Sequence, residues 1–184
     1  MKKQSGFTLM ELLIVIGVLG ILAAGLLAAI DPFEQLKKAR DANNRNATIE
    51  LLNGFTRYYA THGEFPWYKD DAAVACGSYT VGALDGGALE IDGMDNCILD
   101  LENDGELKPD FADNVRADVF VASDYTNDDT DLNVCFKPEG KALRSDGATK
   151  YLVTGPTAGL YAIALSASCP ATASATSNCA QCFN

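Results

Sequence analysis

The N-terminal third of the chain divides into two segments with different patterns of apolar residues. Residues 7–30 are apolar except for one charged residue, Glu11. A helix over this run is about 36 Å long, which is enough to cross the hydrocarbon core of a membrane. Residues 33–61 instead carry apolar side chains at steps of three and four, which predicts an amphipathic helix. Between them, Asp31-Pro32 predicts either a kink or a helix restart in which Asp31 is the N-cap.

The remaining residues, 63–184, predict a small head domain built from short strands. Glycine and aspartate are frequent there, and they separate short runs of apolar and β-branched residues. The predicted strands are residues 117–122, 132–137, 151–154 and 160–165. Consecutive short strands favour an antiparallel meander packed on the amphipathic half of the helix. The predicted fold class is therefore α+β, with a long N-terminal helix and a small antiparallel sheet. The apolar stripe expected to face that sheet consists of Thr48, Leu51, Leu52, Phe55, Tyr58 and Tyr59.

Charge and cysteine content restrict the compartment and the partners. The chain has 14 Lys and Arg against 25 Asp and Glu, a net charge of −11, which argues against general nucleic-acid binding. An even number of cysteines, all beyond the apolar run, is typical of disulfides in an exported domain. Spacing alone does not choose their pairing, and a metal or redox role for Cys179-Ala-Gln-Cys182 lacks a second CxxC. The disulfide candidates are Cys76, Cys97, Cys135, Cys169, Cys179 and Cys182.

The first residues have the features of a leader that is cut before the apolar helix. Lys2 and Lys3 form a short basic leader, and the apolar run after them is longer than the core of a secretory signal peptide. The cut that fits lies between Gly6 and Phe7, so the helix is kept in the mature chain. An ordinary uncut membrane anchor is the alternative.

This N-terminus resembles the type IV filament superfamily, which comprises type IV pilins and the pseudopilins of type II secretion and DNA-uptake systems. The basic leader, the small residue, the phenylalanine and the carboxylate stand in fixed order before a long apolar helix. A second similarity covers the end of the helix and the turn after it. The residues that carry the resemblance are Lys2, Lys3, Gly6 and residues 7–16, followed by residues 38–41, 58–59 and 63–66.

The resemblance implies three roles for residues near the cut. A prepilin peptidase cuts after Gly6, and the new N-terminal Phe7 is N-methylated. Glu11 then pairs with the N-terminal amine of a neighbouring subunit during filament assembly, or alternatively with the amine of its own chain. A physical argument agrees, because a carboxylate in an apolar environment is costly unless a positive group neutralises it.

We therefore predict a structural subunit rather than an enzyme. The expected organisation is a leader at 1–6, a membrane and assembly helix at 7–30, an amphipathic helix at 31–62 and an exported head at 63–184. The subunit waits as a single-pass protein of the cytoplasmic membrane with its head outside the cytoplasm, and then enters a cell-surface or periplasmic filament. Its expected partners are prepilin peptidase, copies of itself, minor pilins or pseudopilins, an assembly ATPase and a platform membrane protein. Pilus and secretion pseudopilus are not separated by sequence, and a membrane-anchored binding protein with an uncut helix is the alternative.

Two surface features have more than one interpretation. Lys37, Lys38, Arg40 and Arg45 form a basic patch just after the apolar run, which either binds anionic lipid headgroups, pairs with acidic heads of adjacent subunits, or is simply solvated.

We expect no cofactor apart from a candidate structural calcium. Residues 100–105 resemble half of an EF-hand loop but lack its closing glutamate. The other candidate calcium ligands are Asp124, Asp128, Asp129 and Asp131, and the alternative interpretation of these residues is a solvated turn between two strands.

The sequence contains no recognisable catalytic arrangement. Motifs such as GxSxG, a Walker loop or HExxH are absent, and the chain has one histidine. His62 stands at the predicted end of the helix, where we expect it to contact the last backbone carbonyls.

Overall fold

The computed structural model describes residues 6–69, 72–115, 118–124, 131–170 and 178–184. The chain forms two compact units, Met1–Leu36 and Lys37–Asn184. The helices are α1 (Leu9–Ala29), α2 (Pro32–His62), α3 (Asp95–Asn103), α4 (Phe111–Asn114) and α5 (Lys141–Arg144). The strands are β1 (Tyr68–Lys69), β2 (Ala72–Ala73), β3 (Leu89–Glu90), β4 (Val119–Asp124), β5 (Asp131–Phe136), β6 (Tyr151–Thr157), β7 (Leu160–Leu165) and β8 (Cys179–Phe183). The predicted α+β class is confirmed.

The two long helices are separated where the sequence predicts an interruption. Helix α1 ends at Ala29, and the Ile30 N–H donates to the Leu26 carbonyl. Helix α2 begins at Pro32, and the Glu34 N–H donates to Asp31 Oδ1 over 3.3 Å. Asp31 is therefore an N-cap, and proline takes the first helical position, where its missing N–H is not needed.

Helix α2 packs one face on the sheet, as its apolar stripe predicts. Leu51 and Phe55 are fully buried, and Phe55 meets Trp67 edge-to-face with ring centroids 4.8 Å apart. The core that they share with the sheet includes Val121 and Val134. This face of α2 is what fixes the head on the helix.

Six strands form one antiparallel sheet in the order β3-β4-β5-β8-β6-β7. The prediction of a simple meander is wrong in one respect, because the C-terminal strand β8 inserts between β5 and β6. Side chains alternate between the two faces of the sheet, as the period of two in a strand requires. In β4, Val119 and Val121 join the core under α2, while Phe120 and Ala122 join a second core on the other face.

The sheet curls so that its last strand returns to its first. Ala88, directly before β3, exchanges two backbone hydrogen bonds with Tyr161 in β7, at 3.1 and 2.8 Å. Further along the same strand, the Ile163 N–H donates to the Leu84 carbonyl over 2.6 Å. The second core, which includes Phe120 and Ile163, therefore lies inside a nearly closed sheet.

The six cysteines form three disulfides in the head, which confirms their predicted role. The pairs are Cys76–Cys97, Cys135–Cys182 and Cys169–Cys179. The Cys135–Cys182 bond joins β5 to β8, directly opposite each other in the pairing of these strands. The two cysteines of the CxxC spacing thus belong to different disulfides, and no free cysteine remains.

One helix of the head was not predicted from the sequence. Residues 95–103 form α3. Asp100 lies within this helix, and its carboxylate forms an ion pair with Lys69 Nζ at 2.7 Å. The EF-hand interpretation of residues 100–105 stays a prediction.

Candidate functional site

The apolar surface of α1 is the most unusual surface of the N-terminal unit. Leu9–Leu27 is the candidate membrane span among the described residues by length and composition, and none of it is buried. Large side chains such as Leu9 and Ile21 are 82% and 77% exposed. Such a continuous apolar surface requires either lipid or other protein around it, because water would solvate it poorly.

Small residues leave room for close contacts along this helix. A Cβ atom built on Gly17, Gly20 or Gly25 meets no other heavy atom within 4 Å. Glycines on an apolar helix allow a neighbouring backbone to approach closely, which is how membrane helices associate. The surface of α1 is therefore suited to packing against further helices.

Glu11 lies in the first turn of α1 and forms a capping box with Thr8. The Glu11 N–H donates to Thr8 Oγ1 over 3.2 Å, and Glu11 Oε2 accepts from the Thr8 N–H and Oγ1 at 3.0 and 2.9 Å. Two otherwise unpaired groups at the helix start are thereby satisfied. This role was not predicted from the sequence, although Thr8-Leu9-Met10-Glu11 has the spacing by which a capping box is recognised.

The predicted processing residues lie immediately before this cap. Gly6 and Phe7 are exposed, and α1 begins two residues later at Leu9. The Phe7 side chain is 81% exposed. A peptide bond in an exposed, non-helical segment is open to a protease, and the carboxylate of Glu11 is bound to Thr8, the residue next to Phe7.

The candidate calcium ligands cannot be assembled from the described part of the chain. Asp128 and Asp129 lie outside the described residues, and so does the side chain of Asp124. Asp131 begins β5 and is exposed. Among the residues that the structure describes, no group of three metal-ligating side chains comes together. The calcium site remains a prediction.

His62 takes the place that the sequence predicts for it. Its Nδ1 lies 3.2 Å from the Tyr58 carbonyl in the last turn of α2, and its Nε2 lies 3.4 Å from Asp104 Oδ2. The ring also stacks on Tyr58. These contacts hold the end of α2 against the segment that follows α3.

Comparison with known proteins supports the resemblance of this N-terminal segment to type IV pilins. Residues 1–27 match the family model of the prokaryotic N-terminal methylation motif. The chain is 40% identical over 79 residues to a fimbrial protein of Neisseria meningitidis serogroup B, covering 41% of this chain and 43% of that protein. The resemblance to type IV pilins is confirmed.

A second relative leads to the same group of pilins. The pilin-like chain is 40% identical over 76 residues to a type IV major pilin protein, PilE1, of Neisseria gonorrhoeae, covering 39% of this chain and 42% of that protein. The chain thus spans less than half the length of either relative. None of the solved structures matches it significantly. The relatives are named as pilin and fimbrial proteins rather than enzymes, in agreement with the prediction that this chain is not an enzyme.

Proposed function

We propose that this chain is the subunit of a type IV filament, held in the cytoplasmic membrane by α1 until it is cut and assembled. The observation that carries the proposal is the methylation motif over residues 1–27, which coincides with an exposed apolar helix that contains one carboxylate. The head is then the part displayed outside the cytoplasm, and its three disulfides suit an oxidising compartment.

Cleavage and assembly are chemically linked in this proposal. A cut between Gly6 and Phe7 by prepilin peptidase creates an ammonium group at Phe7, which is the natural site for N-methylation. Glu11 lies four residues further on, at the start of the apolar helix. In a filament core without water, the carboxylate needs a positive partner, and the amine of a neighbouring subunit supplies one.

The apolar face of α1 also accounts for the other proposed partners. Copies of the chain, minor subunits and the platform membrane protein bind this face, while an assembly ATPase supplies the energy. The named relatives are pilins, which favours a surface pilus over a secretion pseudopilus. Electron microscopy of cells with an antibody to the head separates these two, because only a pilus extends far from the cell.

The cut is tested by the mass of the mature chain in cells that contain an active prepilin peptidase. We expect a chain that begins at Phe7 and carries one additional methyl group. A chain that still begins at Met1 would contradict the proposal and favour a binding protein with an uncut anchor.

The role of Glu11 is tested by two variants that separate its charge from its capping bond. Glu11→Gln removes the charge, but glutamine still completes a capping box, whereas Thr8→Val keeps the charge and removes the hydroxyl. We expect filament yield to fall more than about tenfold for Glu11→Gln, since loss of one partner of a buried pair costs about 3–5 kcal/mol. Thr8→Val is the control and should retain filaments. Normal yield from Glu11→Gln would refute the charge pair.

A further inference from the structure

A group of basic side chains lies on α2 in the second compact unit, where Lys38 and Arg45 are exposed and Lys37 is half-buried. We call Lys37, Lys38 and Arg45 the basic face. Lys38 and Arg45 are seven residues apart, so they lie on the same side of the helix and about 10 Å apart along its axis. The other basic residue nearby, Arg40, is already engaged with Glu139 at 3.1 Å.

The basic face is not neutralised by its own chain. Within the described ranges, none of its three members forms an ion pair; Arg45 only places its guanidinium 5.8 Å from the ring centroid of Phe183. A cavity of about 230 Å³ opens beside Lys38 and Arg45 and is also lined by Asp41, Ala142 and Leu143. The carboxylate of Asp41 is buried and already accepts from two backbone N–H groups. The face therefore offers positive charge and an open concave surface to another molecule.

The head has the opposite charge. Residues 63–184 contain 7 Lys and Arg against 20 Asp and Glu, a net charge of −13. Heads that crowd together along a filament repel one another at that charge, unless a positive surface on α2 of one subunit meets a negative surface on the head of the next.

A second cavity of about 350 Å³ has the complementary chemistry. Its walls carry the carboxylates of Glu90, Asp92 and Asp95 and the rings of Tyr79 and Tyr161, and no Lys or Arg is among the described residues that line it. We call it the acidic cavity. Its charge, its tyrosines and its size suit the end of a lysine or arginine side chain, which carboxylates and aromatic rings both attract.

The carboxylates of the acidic cavity differ in how firmly hydrogen bonds hold them in place. Glu90 is held in place, because it accepts from the Tyr161 hydroxyl at 2.6 Å and from the Asp118 N–H at 2.7 Å. Asp92 and Asp95 are exposed, and neither forms an ion pair with any residue that the structure describes. Two charges are thus available to a partner beside a fixed third one.

We propose that the basic face of one copy docks on the acidic cavity of a second copy in the assembled filament. The inference rests on the proposed function, which brings the heads of many copies together. The two surfaces differ, so the contact is head-to-tail and leaves one of each open at the ends, as growth of a helical filament requires. Anionic lipid would also attract the basic face, but lipid would leave the acidic cavity, which no described Lys or Arg lines, without a partner.

The test is a charge swap in the full-length chain, expressed in cells. Lys38→Glu with Arg45→Glu reverses the basic face, and Asp92→Lys with Asp95→Lys reverses the acidic cavity. Each pair alone should lower filament yield at least tenfold, because like charges then meet at the contact. All four changes in one chain should restore most of the yield, since each copy again carries complementary surfaces.

A matched control and a folding check make the outcomes distinct. Lys108→Glu with Lys150→Glu changes the net charge as much as the reversed basic face, at two exposed lysines outside it, and should leave the yield unchanged. Formation of all three disulfides, read from the mass of the non-reduced chain, verifies that each variant folds.

Each possible result decides the proposal. Wild-type filament yield from the variant with the reversed basic face would overturn the docking contact, while the proposed function would stand. The docking contact would also be overturned if the quadruple variant folds but its filament yield stays low. A reversed basic face that gives normal filament yield, in a chain that no longer prefers vesicles containing phosphatidylglycerol over neutral vesicles, would overturn the contact and assign that face to lipid. Absence of filaments from the wild-type chain would overturn the proposed function itself.

Discussion

Gly82 and Gly87 approach each other where the chain enters the curled sheet. The Gly82 N–H donates to the Gly87 carbonyl over 2.8 Å. A Cβ atom on Gly87 would lie 2.6 Å from Gly82 Cα and 2.9 Å from the Ala83 nitrogen, both of which are backbone atoms. Only a residue without a side chain fits at this position, because the backbone opposite cannot turn aside as a side chain does.

Gly87→Ala should therefore destabilise the head by about 1–3 kcal/mol, the usual cost of forcing an extra methyl group into a packed region. Gly86→Ala is the matched control, since a Cβ there meets no atom within 4 Å and its backbone is not in the left-handed region. The measurement is thermal or urea denaturation of the full chain in detergent. Equal stability of the two variants would contradict the close approach.

Tyr161 is tied to Glu90 at the wall of the acidic cavity. Its hydroxyl donates to Glu90 Oε2, and this hydrogen bond raises the pKa of Tyr161 to about 12; burial and the negative charge of Glu90 act in the same direction. Ionisation of the phenol would break the bond and place two negative charges side by side.

The consequence is a loss of stability at high pH. Between pH 10 and about 12, the unfolded chain releases the Tyr161 proton while the folded chain keeps it, so stability falls as the pH rises through this window. Below the ordinary tyrosine pKa of about 10, the contribution is fully present. The phenolate absorbance of the wild type minus that of Tyr161→Phe should give the raised pKa, and Glu90→Ala should lower it. A difference curve centred near pH 10 would rule out the bond.

At the scale of elements, Asp41 fastens α2 to the segment that leads into α5. It is 1% exposed, and its two carboxylate oxygens accept from the Glu139 and Gly140 N–H groups, each at 2.7 Å. Two backbone donors from a loop ninety-eight and ninety-nine residues away in sequence are thus satisfied by one buried side chain.

Asp41→Asn should cost about 2–3 kcal/mol of unfolding free energy, because one oxygen is replaced by an NH₂ group that faces a backbone donor. Asp113→Asn makes the same chemical change at an exposed position of α4 and should stay within about 0.5 kcal/mol of the wild type. Denaturation of both variants under the same conditions makes the comparison. A small effect at Asp41 would mean that the loop finds other acceptors.

The elements differ in how far their sequence predicts them. The stripe through Leu51 and Phe55 and the apolar run of β7 are local patterns, so both elements were predicted correctly. Strand β8 was missed, because its five residues follow a segment of small polar residues and its place in the sheet depends on β5 and β6. Asp41 was equally beyond prediction, since its partners are a distant backbone and a charged residue on a helix usually faces water.

The functional residues also divide into those that local sequence predicts and those that depend on the folded arrangement. Glu11 and the residues around the predicted cut have a fixed local spacing, and the capping box with Thr8 can also be predicted from that spacing. The acidic cavity is not, since Tyr79, Asp92 and Tyr161 meet only when the sheet has curled. Cysteine pairing also depends on the folded arrangement, and so no spacing rule gives it.

At the scale of the whole head, the three disulfides should contribute unequally to stability. They enclose sequence separations of 47, 21 and 10 residues, for Cys135–Cys182, Cys76–Cys97 and Cys169–Cys179 in that order. Loop-closure entropy then predicts contributions of about 4, about 3.3 and about 2.7 kcal/mol. The largest belongs to the bond that holds β8 in the middle of the sheet.

Paired cysteine-to-alanine variants test this order by denaturation of the full chain. Removal of Cys135–Cys182 should lower the unfolding free energy most, and removal of Cys169–Cys179 least. Each pair of substitutions removes the same atoms, so the three variants serve as controls for one another. The reverse order would mean that local packing, rather than chain closure, sets the contribution of each bond.

The return of β7 to the residues before β3 affects the tendency of such heads to aggregate at high concentration. An open sheet ends in a row of unpaired backbone N–H and carbonyl groups, and another chain can extend it into an aggregate. Here the Ala88–Tyr161 pair and the bond from Ile163 to Leu84 occupy the edge of β7. Heads at high local concentration are thereby discouraged from joining strand to strand, and association is left to the side-chain surfaces of the head.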